Sequence, residues 1–141
     1  MRMSIIAAVL ASLAPAVSAQ HSVNCWGKAS HAPFDKLIAA VQTLDRAIYM
    51  APTPLGPSVR ADKNDCHELW CVKDVSIRFC NENTEQARSM PLQNIVNSLN
   101  AIMHDCATTY KGEKVAGGVV DHPDKWSVVV QMDDQCKPAS Y

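Results

Sequence analysis

The chain is poor in the features that mark the commoner functional classes. Its 141 residues include only two Phe, three Tyr and three Trp, and no lectin-like motif repeats them into a sugar-binding platform. No run of Lys or Arg interleaved with aromatics occurs, so the electrostatic footprint of a nucleic-acid binder is missing. There is no Asn-X-Ser/Thr sequon: Thr84 follows Asn83 one position too early, and Ser98 follows Asn97 likewise. N-glycosylation is therefore not expected. No Gly-x-Ser-x-Gly elbow offers a serine nucleophile. No internal repeat or low-complexity tract is present. The C-terminus, Lys137 to Tyr141, has no hydrophobic tail for a lipid anchor.

What is present begins with a leader. Arg2 precedes an apolar run from Ile5 to Val17, and Val17-Ser18-Ala19 places small residues at an exit site. This is the layout of a cleavable secretory signal peptide, too short for a comfortable membrane span and followed by no stop-transfer pattern. Residues 1–19 are therefore expected to be removed, leaving residues 20–141 as a single secreted domain without a membrane anchor. The 13 basic residues lose Arg2 and stand at 12 against 14 acidic ones. The expected location is extracellular, with later entry into host cells left open.

Six cysteines follow the leader: Cys25, Cys66, Cys71, Cys80, Cys106 and Cys136. An even set in a small secreted chain predicts three disulfides, although sequence alone does not choose their pairing. Each is expected to contribute roughly 2–4 kcal/mol, a large share of a domain's net stability.

The hydrophobic pattern supplies the fold class. His21 to Trp26 reads as a short first strand. Phe34, Leu37, Ile38, Val41, Leu44 and Ile48 recur at helical spacing, giving a helix over about 33–49 with Pro33 in its first turn. Ala51 to Asp65, with three prolines and a charged end, reads as a long loop. Leu69 to Val72 and Val75 to Cys80 read as strands around Lys73-Asp74. A second helix is expected over about 90–107, with Ser89 as N-cap and Cys106 on its apolar side, placed to staple it to the sheet. Lys114–Asp121 and Trp126–Met132 close the domain as strands around His122-Pro123-Asp124. Gly117-Gly118 marks a bulge or a close backbone approach. This order predicts an α+β two-layer sandwich: an antiparallel sheet, two helices on one face, and disulfide staples.

A search for chemistry returns little. Cys66, His67 and Cys71 lack a second close pair of ligands for zinc, so no metal and no cofactor is expected. His104 and Asp105 are helix neighbours pointing about 100° apart, and are not expected to form a relay with each other. His67, Glu68, Arg78 and His122 hold the residue types of a nuclease, but nothing in their spacing assembles them. With all six thiols assigned to bridges, no catalytic residue is assigned and a non-enzymatic binding role is expected. The candidate partner-binding residues are Arg60, Asp62 and Lys63 in the long loop and His122, Asp124 and Lys125 at the hairpin tip.

The leader Met1–Ala19, the six cysteines and the alternation ending in Trp126-Ser127-Val128-Val129-Val130 together resemble the small secreted cysteine-rich effectors of plant-pathogenic fungi, including avirulence proteins of the Leptosphaeria type. That resemblance implies a virulence protein open to recognition by a host resistance protein; the expected partner is a host plant protein, and the chain is expected to act as a monomer. Asn24-Cys25 and the helix ending in His104-Asp105-Cys106 are similar to KP4-type killer toxins. Those toxins, however, carry more cysteines and a Gly- and Cys-rich stretch where this chain has Ala107 to Gly112. An antifungal or killer toxin is therefore the runner-up, and a small secreted hydrolase the third class.

Overall fold

The computed structural model describes residues 21–27, 30–50, 57–72 and 75–136. The predicted leader, the Lys73-Asp74 turn and residues 137–141 lie outside them. In chain order the elements are β1 (Ser22–Cys25), β2 (Ala32–Pro33), α1 (Phe34–Tyr49), β3 (Ser58–Ala61), β4 (Asp65–Val72), β5 (Val75–Asn81), β6 (Arg88–Pro91), α2 (Leu92–Asp105), β7 (Thr108–Tyr110), β8 (Glu113–Ala116), β9 (Gly118–His122) and β10 (Trp126–Met132). The α+β class with antiparallel strands and two helices is as the periodicity implies. No helix among the described residues is long and apolar enough to cross a membrane.

Five strands form the main sheet in the order β1-β9-β10-β5-β4, every neighbouring pair antiparallel. Its inner face follows from strict alternation. Val75, Ile77 and Phe79 on β5 stand opposite Met132, Val130 and Val128 on β10, and Val128 is in turn opposite Val120 on β9. All but Met132 are fully buried. Against this face pack Leu37, Ala40, Val41 and Leu44 of α1 with Ile95, Val96, Leu99 and Ile102 of α2, in one continuous core. Each fully buried branched or aromatic side chain contributes about 1.5–3 kcal/mol of transfer free energy.

Three sequence expectations need correction. First, both helices start one position after a proline that closes a short strand: Pro33 and Pro91 have ψ near 130° and act as N-caps without a side-chain bond. A proline drives the residue before it into extended backbone. Met90 and Ser89 therefore belong to β6, and Ser89 pairs with Arg60 rather than capping α2. The first helix donor, at Leu92, is satisfied instead by the Pro57 carbonyl at 2.9 Å. Second, the long loop contains β3, which pairs with β6. Third, the run from Lys114 to Asp121 is two strands in different sheets. β8 pairs with β2 and β7, while β9 joins the main sheet.

The third break occurs at the two glycines. A Cβ on Gly118 would lie 2.5 Å from the Asn24 carbonyl oxygen and 3.1 Å from the Cys25 Cα. Only a residue without a side chain lets β1 approach β9 here, which is the close backbone contact expected from sequence.

The bridges are Cys25–Cys106, Cys66–Cys80 and Cys71–Cys136, with no free cysteine. Cys25–Cys106 ties β1 to the end of α2, as the position of Cys106 on the apolar stripe implied. Three disulfides point to an extracellular or secreted protein.

Candidate functional site

The predicted contact residues sort into three places. Asp62, Lys63, Asp124 and Lys125 are all exposed, and the structure brings them to one end of the molecule. The organiser is Asn81, the last residue of β5 and 1% exposed. Its Nδ2 donates to the carbonyls of Gln86 (2.8 Å), Asp62 (3.2 Å) and Ala61 (3.4 Å), and its Oδ1 accepts from Asn83 N–H. The neighbouring backbone continues the network: Asn64 N–H donates to Asn83 O at 2.8 Å, and Glu82 N–H to Lys125 O at 2.9 Å.

Three connections, 62–64, 82–87 and 123–125, are thus fastened side by side. The first and third pass through left-handed residues, Asn64 at φ 50° and Lys125 at φ 67°. Asx turns at Asn83, whose Oδ1 accepts from Glu85 and Gln86, shape the middle connection. Arg88 reaches Asp124 at 3.1 Å. Asp62, Lys63, Glu82, Glu85 and Lys125 have no ion-pair partner among the described residues. The result is an exposed, mixed-charge surface on a backbone held by buried and part-buried hydrogen bonds.

Arg60 is not part of this pole. It lies within β3 and lines an apolar cleft between α1 and β4. His122 also turns away from the hairpin tip. It stacks flat on Trp126 and faces Ser98 of α2, its Nε2 lying 3.0 Å from Ser98 Oγ.

The His122–Ser98 contact has the residue types of an activated hydroxyl, but not the arrangement. Ser98 Oγ is also in position to donate to the Asn94 carbonyl at 3.1 Å, so that carbonyl competes with His122 for the hydroxyl proton. Ser98 is 3% exposed, leaving little room for a substrate to approach. Around the pair, His21, Asn94 and Asn97 complete a small cleft of about 280 Å³.

The four nuclease-type residues are not assembled. Glu68 pairs with Arg78 at 2.9 Å on the outer face of the sheet, where Arg78 also reaches Asp133 at 2.7 Å. His67 stands opposite Phe79 on the inner face, and His122 lies across the sheet beside Trp126. Glu68, Cys71 and Cys136 are close enough to hold an ion, but both sulfurs belong to one disulfide and offer no thiolate. His104 Nδ1 and Asp105 Oδ1 do meet, at 2.7 Å, contrary to the helical-wheel expectation. They occupy the last turn of α2, where both side chains are largely in solvent and free to bend toward each other.

Asn81 is not among the contacts that the sequence suggests, yet the chain carries a signal for it. It continues the phase of Val75, Ile77 and Phe79, so a polar side chain falls on the buried face of the strand. Such a group needs partners, and here they are loop carbonyls. Against this geometry, no protein-family model, no curated protein and no solved structure matches the chain.

Proposed function

We propose that this protein is a secreted effector that promotes infection of a host plant by binding, and that the pole around Asn81 is its contact surface for a host plant protein. The observation that carries this reading is the fastening of two sequence-remote segments to one strand end: 62–64 through the buried Asn81 side chain, and 123–125 through the neighbouring Glu82 N–H. Loops positioned by a rigid scaffold are the usual carriers of recognition. A surface whose backbone is ordered before binding loses less entropy on association. The unpaired charges of Asp62, Lys63, Glu82, Glu85 and Lys125 supply the means of discrimination, since charge pattern governs partner choice more than raw affinity. The three disulfides suit such a domain to conditions outside the cell. Recognition by a host resistance protein would use the same face, and the protein would act as a monomer.

The test is expression in plants carrying different resistance genes, beside deletion of the gene from the organism that makes it. A genotype-specific response lost on Lys63→Glu and Lys125→Glu together, with the disulfides and fold retained, is the expected result. No genotype-specific response combined with undiminished virulence on deletion would sink the reading. Growth inhibition of fungal cultures by the oxidised protein, with no plant present, would instead favour the toxin class.

A further inference from the structure

A second site lies apart from the loop pole and does not depend on it. Between the C-terminal half of α1, β3, β4 and the start of α2 is a cleft of about 450 Å³, within the size range of small-molecule sites. Leu44, Val59, Leu69 and Leu92 give it an apolar body. Arg60 and His67 are its basic groups, Thr43 and Ser58 add hydroxyls, and Trp70 forms part of its wall.

The local cause is a β-bulge. The β4–β5 register runs His67↔Phe79 and Glu68↔Arg78, then shifts so that Trp70 stands opposite Ile77. Phe79 and Ile77 are both inner-face residues, fully buried. The extra residue, Leu69, therefore brings His67 and Trp70, three apart in sequence, onto the same side. Without the shift, regular alternation would send Trp70 to the outer face with Glu68. Bulges commonly re-aim a side chain in this way beside a functional site.

The charge at the cleft is one-sided. Neither the Arg60 nor the His67 side chain has a hydrogen-bond or ion-pair partner among the described residues, and no carboxylate lines the described walls. Glu68, the acid nearest in sequence, is committed to Arg78 and Ser76 across the sheet. An apolar body with a lone guanidinium at its edge complements an apolar molecule ending in one carboxylate, which Arg receives through two parallel N–H donors.

We propose that the cleft binds a free small-molecule monocarboxylate with an apolar chain, the chain lying against Leu44, Leu69 and Trp70 and the carboxylate on Arg60.

The experiment titrates the oxidised full-length secreted protein with decanoate, and with decan-1-ol as its uncharged counterpart, following the Trp70 indole N–H by NMR. Decanoate should shift that signal saturably and bind roughly tenfold more tightly than the alcohol, the difference of one charge-assisted contact. Arg60→Gln, a change at an exposed strand position, should remove the preference, bringing decanoate to the affinity of the alcohol. Ala47→Trp, which fills the cleft from α1, should abolish both. Equal affinity for acid and alcohol in the wild type would overturn the proposal. So would binding insensitive to both substitutions, or no saturable shift at millimolar decanoate. Attachment to anionic lipid vesicles without any response to free decanoate would overturn it in favour of a membrane surface.

Discussion

The imidazole of His122 lies flat on the indole of Trp126, with ring centroids 3.6 Å apart and planes 4° from parallel. The two residues are directly opposed across β9 and β10, so the sheet register itself sets the stack. Burial in this position, reinforced by nearby His21, holds the His122 pKa below its ordinary 6.5, against the opposing pulls of Asp124 and Asp121. A base with a depressed folded pKa binds fewer protons folded than unfolded in the interval between the two values. Its contribution is therefore complete above about pH 6.5 and lost as pH falls toward the folded value. The melting temperature should fall between about pH 7.5 and about pH 5.5. His122→Phe, which keeps a flat ring over Trp126 but cannot titrate, should show a shallower fall. Identical pH profiles for the two proteins would remove His122 as the cause.

Asn81→Ala should destabilise the domain by roughly 2–3 kcal/mol, since buried loop carbonyls lose their donors. Asn81→Asp should be worse near neutral pH, because a carboxylate would face the carbonyls of Ala61, Asp62 and Gln86 with nothing to donate. That extra penalty should shrink as pH is lowered and the acid gains a proton. Urea denaturation of the three proteins at two pH values checks the ranking.

Gly118→Ala should cost about 1–3 kcal/mol, because its Cβ meets backbone atoms of β1 that cannot swing aside. Gly27→Ala is the control: no atom lies within 4 Å of its added Cβ, and its effect should stay within about 0.5 kcal/mol. Hydrogen exchange of the β1 amides should rise in the first variant and not in the second.

The bridges should not be equal. Cys25–Cys106 closes a sequence separation of 81, Cys66–Cys80 one of 14. On loop entropy alone, replacing the first pair by alanines should cost about 1.5 kcal/mol more than replacing the second. Denaturant midpoints of the two double variants measure the difference directly.

Much of the framework was legible in the chain because its residues report periodicity. The stripes Leu37-Val41-Leu44 and Ile95-Leu99-Ile102 gave the helices, and Val75-Ile77-Phe79 gave a strand with the correct inner face. Gly117-Gly118 gave the close approach. What stayed hidden depends on pairing rather than on local pattern. β3 became a strand only by meeting β6, and Ser89 lost its capping role to that same pairing. The bulge at Leu69 cannot be seen in β4 alone, because only the β5 partner shows which residue is extra. Of the candidate contacts, four converged on the Asn81 pole. Arg60 and His122 were drawn elsewhere by neighbours that the linear sequence does not bring near them.

The three bridges also overlap along the chain. Cys71 lies inside the span closed by Cys25 and Cys106, while its partner Cys136 lies beyond it. A single backbone cut anywhere from residue 25 to residue 106 leaves both pieces joined through Cys25–Cys106. A cut from there to residue 136 leaves them joined through Cys71–Cys136. No single proteolytic event between the first and last cysteine can therefore divide the domain into separate molecules. One nick in a loop still leaves the core residues of both fragments covalently confined to one another.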